Sequence, residues 1–388
     1  MIWFKNASIA IARMEKRAKW WWEIDPWLFW SVMVLLLFGI VMVFSASMTT
    51  GLYAYGDAFY FFQRHLFGIV LGLITGVITS FFPLSRLREQ SKLLLLFTLV
   101  LLVLVFVPGV GRQGAGVNRW INLGVFNFQP SEMAKLVIVL YMADALAAHQ
   151  DRVEDFWRGV VPFFILVGII CLLVLIEPNL GTATFLLLLT FVMLFLGGGK
   201  VLHLLLVWVI LMPTGLFLVL VRGKEYWKDR FVAFLDPWKD PLGKGFHILQ
   251  SLIALGSGGL WGRGLGESRQ KFFFLPDRHT DFIYAIVGEE LGLLGTLSLV
   301  VLLGIILWRG WKIALEARDE FQCLVAMGIV AMMILQAFVN MGAVLRLFPI
   351  TGITFPLLSY GNSSLLVLMA SIGILFNIAR NRRETENQ

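Results

Sequence analysis

Ten apolar runs divide the chain, near residues 27–47, 64–83, 93–108, 131–148, 160–177, 180–197, 201–221, 282–308, 322–342 and 363–379. Runs of about 17–25 residues can cross a bilayer as helices, because hydrocarbon offers backbone N–H and C=O groups no partner outside the segment itself. The pattern predicts an all-α polytopic membrane protein of about ten transmembrane helices, forming a single membrane domain over 1–388. Its expected parts outside the bundle are an N-terminal segment over 1–26, one long extracytoplasmic loop over 222–281 and a tail over 380–388. The first run ends at Ser45, Ala46 and Ser47, as a cleaved signal peptide would, but it is longer than a usual signal core and reads as a retained helix. No period of 20–50 residues and no matching pair of interrupted spans stands out, which weighs against an inverted-repeat transporter.

Composition agrees with that reading. Apolar residues make up 59% of the chain and charged residues 15%, and a mean hydropathy of +0.82 excludes a water-soluble globule. Lysine and arginine collect in alternate short loops: Lys5, Arg13, Lys16, Arg17 and Lys19; Arg86, Arg88 and Lys92; Arg309, Lys312 and Arg318; Arg380, Arg382 and Arg383. These loops and both termini are therefore expected in the cytoplasm. The loop over 222–281 is also basic, but loops of that length largely escape the charge rule. Residues 2–19 look amphipathic ahead of Trp20, Trp21 and Trp22, as in a helix lying on the membrane surface. Attraction of basic inner loops to anionic lipid accounts for much of the net charge of +7.

The residues with chemical potential gather at the other ends of the spans: Gln63 and Arg64, GRQGAGVNRWINLG from 111, QPSEMAK from 129 and EPNLGT from 177. Glu132 and Lys135, spaced i, i+3, either neutralise each other or leave Lys135 to face a cavity with Arg64 and Arg119. Such a basic cavity would hold an anionic group such as a pyrophosphate, which suits arginine's planar fork. In the long loop, residues 246–255 read as a short interfacial helix, and the glycines from 256 to 266 match no phosphate-binding loop.

The sharpest candidate lies in LPDRHTDF, directly before the eighth run. In one reading Thr280 caps that helix and Asp281 complements its dipole. In the other, Asp281 stands at the mouth of a membrane cavity, kept ionised by Arg278 and His279, and takes a proton from a substrate hydroxyl. Glu289 and Glu290 fall about two turns deeper, where one is expected to pair with a cation. His65, His149, His203, His247 and His279 show no metal-ligand spacing, so no transition-metal site is expected. Cys171 and Cys323 sit in apolar spans, where small buried hydrophobes are common.

Taken together, LPDRHTDFIYAIVGEELG, DPWKDPLGKG, GRGLGESRQK, NMGAVLRLFPITG and PITGITFPLLSYGNSS resemble the FtsW, RodA and SpoVE family over nearly the whole chain, and DPW with GLGESRQK look like its FtsW branch. Two departures are EPNLGT, where QPDLGT is usual, and Asn362, where a second glycine is usual. The resemblance implies a bacterial inner-membrane glycosyltransferase that polymerises lipid II into peptidoglycan at the division septum. It implies an inverting transfer with Asp281 as general base and a polyprenyl pyrophosphate leaving group, and a substrate site drawn from Arg64, Arg119, Glu132, Lys135, Lys271, His279 and Ser359. The partners it implies are a class B penicillin-binding protein, other division proteins and membrane lipids, with no nucleic acid; no metal site is expected, though a divalent cation (Mg or Mn) could ride on the pyrophosphate. The competing readings are a lipid II flippase, a RodA-like elongation polymerase and a non-catalytic scaffold for the transpeptidase.

Overall fold

A computed structural model describes residues 25–386 apart from 109, 110, 115, 116, 123, 125, 218, 219, 222, 224 and 273. The basic segment 1–24, with the surface helix expected over 2–19 and Trp20, Trp21 and Trp22, lies outside the described residues, as do Arg222, Lys224 and the side chains of Arg382 and Arg383.

Each apolar run forms a helix. In chain order these are α1 (Pro26–Tyr55), α2 (Tyr60–Phe81), α4 (Ser91–Leu104), α5 (Pro130–Ala148), α6 (Val161–Ile176), α7 (Leu180–Leu196), α8 (Val201–Phe217), α11 (Ile283–Leu315), α12 (Glu320–Val344) and α13 (Asn362–Glu386). Short helices α3 (Leu84–Glu89), α9 (Glu225–Leu235) and α10 (Phe246–Gly258) lie between them. Among the described residues six helices are long and apolar enough to cross a membrane unaided; α4, α7 and α8 are shorter. Helix α5 is buried along most of its length and carries Glu132, Lys135 and Asp144 into the bundle. The close pairing of α2 with α13 depends on glycine: a Cβ on Gly373 would meet the Gly76 carbonyl oxygen at 2.1 Å.

Two features depart from the sequence pattern. Residues 111–128 form a small antiparallel sheet, β1 (Gly111–Gly114), β2 (Val117–Asn122) and β3 (Asn127–Phe128). Its register places Arg119 on the central strand. The second departure is a break in α11 at Gly292, whose φ of 64° and ψ of −158° are open to glycine alone. The loop after α10 fills that break. Arg263 N–H and Gly264 N–H donate to the carbonyls of Glu289 and Glu290 (3.0 and 2.9 Å), while Leu293 N–H and Leu294 N–H donate to Gly259 and Leu260 (2.9 and 3.3 Å). A broken helix is tolerated at membrane depth only where protein replaces the missing backbone bonds, and here the loop does so.

The ends of the bundle differ in character. At one end Asp25 pairs with Arg309, Arg88 with Asp144 at 3.0 Å, and Arg380 stacks on Phe81, so the basic short loops share a face. The β-sheet, α9 and the start of α11 meet at the other.

Candidate active site

At that second end a cavity of about 960 Å³ opens between α2, β2, α5, α7, α9, the start of α11 and the loop 351–364. Its charged lining is Arg64, Arg119, Arg230, Glu132, Asp277 and Asp281. Local structure explains how each arrives. Arg64, one turn into α2, lies over the Tyr60 ring at 4.3 Å. Arg119 donates from Nε to the Glu177 carbonyl (2.8 Å) and from Nη2 to that of Pro178 (2.7 Å), which ties the sheet to the turn between α6 and α7. Arg230 on α9 donates to the Ile350 carbonyl (2.9 Å), and Arg346 answers by donating to Phe234 and Leu235 at the end of α9.

Asp281 lies two residues before α11, partly exposed on the cavity wall. No hydrogen bond or ion pair among the described residues engages its carboxylate, and the helix-capping arrangement with Thr280 does not form: Phe282 is the N-cap residue, and the Thr280 hydroxyl donates to the Asp277 carbonyl. Its backbone, by contrast, is held at three successive carbonyls. Tyr360 N–H donates to His279 (2.9 Å), the Ser359 hydroxyl to Thr280 (2.6 Å) and the Asn340 amide to Asp281 (2.8 Å). Asn340 also donates to Ile353 (2.7 Å), so one buried side chain fixes both walls. Gly352, with φ of +76°, leaves room in front: a Cβ there would sit 3.5 Å from Asp281 Oδ2 and 3.9 Å from Arg230 Nη1.

Burial pushes the Asp281 carboxyl up from its ordinary value to about 7, reinforced by Asp277 and Glu132 and opposed by Arg230 and Arg119. The sequence expectation of a carboxylate kept ionised by Arg278 and His279 is thereby corrected. Arg278 is buried and turns away to the Ala46 carbonyl (3.1 Å) and the Thr49 hydroxyl (3.0 Å). Burial, then Arg278, lowers His279 to about 4, so it is neutral at pH 7; its ring packs on Phe61 at 4.6 Å. The opposing cations come from α9 and β2 instead.

Arg64, Arg119, Glu132 and Asp281 of the expected site are thus brought together, and four other residues are placed elsewhere. Lys135 is buried and paired to Glu132 at 2.7 Å, its Nζ over the Phe185 ring, behind the wall and not in it. Lys271 is buried beside Glu290 at 3.6 Å, with its Nζ donating to the Gly266 carbonyl. His279 and Ser359 support the Asp281 segment without lining the cavity. Asp277 and Asn340 are not among the expected site residues, and Arg230 is expected only as one cation of the basic outer loop. Asp277, four residues before Asp281, was visible as a second acid in the same motif; Arg230 and Asn340 reach the site only through tertiary contacts.

The two departures in the motifs also find places. Asn179 lines the cavity and caps α7, accepting from Thr182 N–H at 3.2 Å. Glu177 is fully buried with neither carboxylate oxygen partnered, and burial pushes it up to about 8 against the pull of Arg119, so it is chiefly protonated at pH 7. Asn362 lines the cavity and its Oδ1 packs where Gly68 leaves space. Among the described residues no group of three or more His, Cys, Asp or Glu side chains is placed to hold a metal ion.

A family of cell cycle proteins, FtsW, RodA and SpoVE, matches residues 26–384. The chain is 43% identical to stage V sporulation protein E of Bacillus subtilis over 357 residues, covering 90% of this chain and 95% of that protein. It is 40% identical to a probable peptidoglycan glycosyltransferase FtsW of Geobacter metallireducens over 351 residues, covering 90% and 93%. Among solved structures, a chain of a peptidoglycan synthase complex that coordinates polymerization and crosslinking superposes with a TM-score of 0.76 at 30% identity, covering 92% of this chain and 98% of that one. The rod shape determining protein RodA of Thermus thermophilus does so with a TM-score of 0.68 at 30% identity, covering 92% and 97%. The matched motifs, the multi-pass helical bundle and the superposed folds agree, and the chain belongs to the FtsW, RodA and SpoVE family.

Proposed function

We propose that this chain is a peptidoglycan glycosyltransferase that polymerises lipid II, with Asp281 as its general base. The observation that carries the reading is the Asp281 carboxyl itself, unpartnered on the wall of a cavity that also presents three arginines, and its upward shift to about 7 suits the role. A base poised near the working pH combines a substantial ionised fraction with real proton affinity. The 4-hydroxyl of the acceptor GlcNAc loses its proton to Asp281 as its oxygen attacks C1 of the donor MurNAc. The C1–O bond to pyrophosphate breaks with inversion, and the leaving polyprenyl pyrophosphate departs with that electron pair. Arg64, Arg119 and Arg230 are fixed donors for the charge that grows on the leaving group, supplied without reorganisation at the moment of reaction.

The charged cavity stands at one end of the bundle, which favours a transferase over a flippase, whose polar path would join both faces. The relatives support the same reading: one is a probable peptidoglycan glycosyltransferase FtsW, and one solved neighbour belongs to a peptidoglycan synthase complex. We place the cavity outside the cytoplasm, the termini inside, the enzyme at the division septum and a class B penicillin-binding protein beside it. The test is incubation of the purified chain, with and without such a transpeptidase, with lipid II, followed by separation of glycan products by size. No polymer from either preparation would refute the assignment. For orientation, Glu267→Cys should react with an impermeant thiol reagent from outside and Ser85→Cys should not, both positions being exposed.

A further inference from the structure

The opposite end of the bundle holds a second concavity, about 210 Å³, where the chain after α5 folds back against the start of α6. At roughly 30 Å³ per water that is room for about seven, enough for a phosphodiester with its glycerol. His149, Arg152 and Arg158 form its rim, and Leu146, Val153 and Phe163 lie beneath. The loop is built to bring the two arginines together. Asp155 N–H donates to the Arg152 carbonyl (2.9 Å) and its carboxylate accepts from Arg158 N–H (2.8 Å). A Cβ on Gly159 would fall 2.1 Å from the Arg152 carbonyl oxygen, so the backbone closes this tightly only on glycine.

Neither guanidinium has a carboxylate within 4 Å among the described residues, and no acid lines the pocket. Three neighbouring acids are engaged elsewhere, Glu154 with Lys200 at 3.0 Å, Asp144 with Arg88 at 3.0 Å and Asp155 with the Arg158 backbone, and the fourth, Asp151, is exposed and does not line the pocket. Trp157 is 74% exposed on the same turn at the end of a spanning helix, the kind of position where aromatic residues concentrate at a membrane surface. Two unpaired planar forks over an apolar floor at that level have the form of a site for a lipid phosphate. We propose that this pocket binds the headgroup of an anionic phospholipid of the adjoining leaflet, its phosphate held by Arg152 and Arg158 and its glycerol seated on Val153 and Phe163.

The test uses the full-length protein in detergent micelles doped with phosphatidylglycerol or phosphatidylcholine, with retained lipid counted by native mass spectrometry. The wild type should retain phosphatidylglycerol in preference. Arg152→Gln with Arg158→Gln should weaken retention about tenfold or more, whereas Arg86→Gln with Lys92→Gln, exposed cations outside the pocket, should leave it unchanged. Equal loss in both pairs would reduce the effect to general surface attraction and overturn the site. So would inorganic phosphate binding to the same arginines as tightly as the lipid, which would make the ligand a free anion. A reading that needs no arginine variant is the quenching of Trp157, taken as wild type minus Trp157→Phe: brominated phosphatidylglycerol should quench it more than brominated phosphatidylcholine, and equal quenching would also overturn the site.

Discussion

Asp281 and the pair Glu289 and Glu290 lie eight residues apart on one stretch of chain, and the protein treats them in opposite ways. The glutamates are fully enclosed and fully partnered. Glu290 accepts from the Ser45 hydroxyl (2.7 Å) and stands 3.6 Å from Lys271; Glu289 accepts from the Ser268 hydroxyl and from Arg269 N–H (3.0 Å). Asp281 has its backbone fixed three times over and its carboxylate left free toward the cavity. Buried carboxylates without partners are costly, so satisfied ones lock structure, here the loop 258–271 inside the break of α11. An unsatisfied one facing space is available for chemistry.

The comparison breaks most sharply at Asp281→Asn. Size is kept and the carboxylate accepts no hydrogen bond that the amide would lose, so the variant should fold and insert normally, while glycan synthesis from lipid II falls by roughly 10² to 10⁴. Near-normal polymer would return Asp281 to a structural role. The mirror experiment is Glu290→Gln, which leaves Lys271 buried without its countercharge. It should cost about 3–5 kcal/mol of stability, seen as a large drop in melting temperature, whereas a melting temperature equal to wild type would remove the locking role.

A smaller effect follows from pH. Because the folded carboxyl is raised, Asp281 ionises only as pH climbs through about 7, and the rate should increase roughly fivefold from pH 6 to 7 and less than twofold from 7 to 8. The same raised value means that the protonated form favours the fold. Its contribution is present at low pH and is lost as pH rises toward 7, so Asp281→Asn should be at least as stable as wild type at pH 8. A rate that falls from pH 6 to 7, or an Asn variant that melts lower at pH 8, would contradict the assignment. The smallest effects belong to the supports. Asn340→Ala abandons two buried carbonyls and should cost about 1–3 kcal/mol, with kcat reduced through a misplaced Asp281; Ser359→Ala should cost less. Lys135→Met tests whether that lysine acts only through Glu132, in which case stability falls and lipid II affinity does not.

Periodicity and apolar run length were sufficient for the ten helices, because hydrocarbon forces each span to satisfy its own backbone. Loop charge separated the two ends of the bundle, and the HTDF motif marked Asp281. The sheet at 111–128 was not legible, since its strands are short and rich in glycine and polar residues. Nor was the break at Gly292, whose missing hydrogen bonds come from residues some 30 positions earlier in the chain. The cations were misassigned for a related reason. Sequence proximity offered Arg278 and His279, but a side chain's direction follows from packing, which sends one toward α1 and buries the other neutral. Arg119 and Arg230 come from a strand and a helix far along the chain, and their approach depends on backbone carbonyls at 177, 178 and 350 that carry no residue signature. The sequence alone determined which residues form the apolar helices and which acid stands at a helix mouth. Only the tertiary structure decided which acids were given partners, because pairing is a property of distance between elements and not of order along the chain.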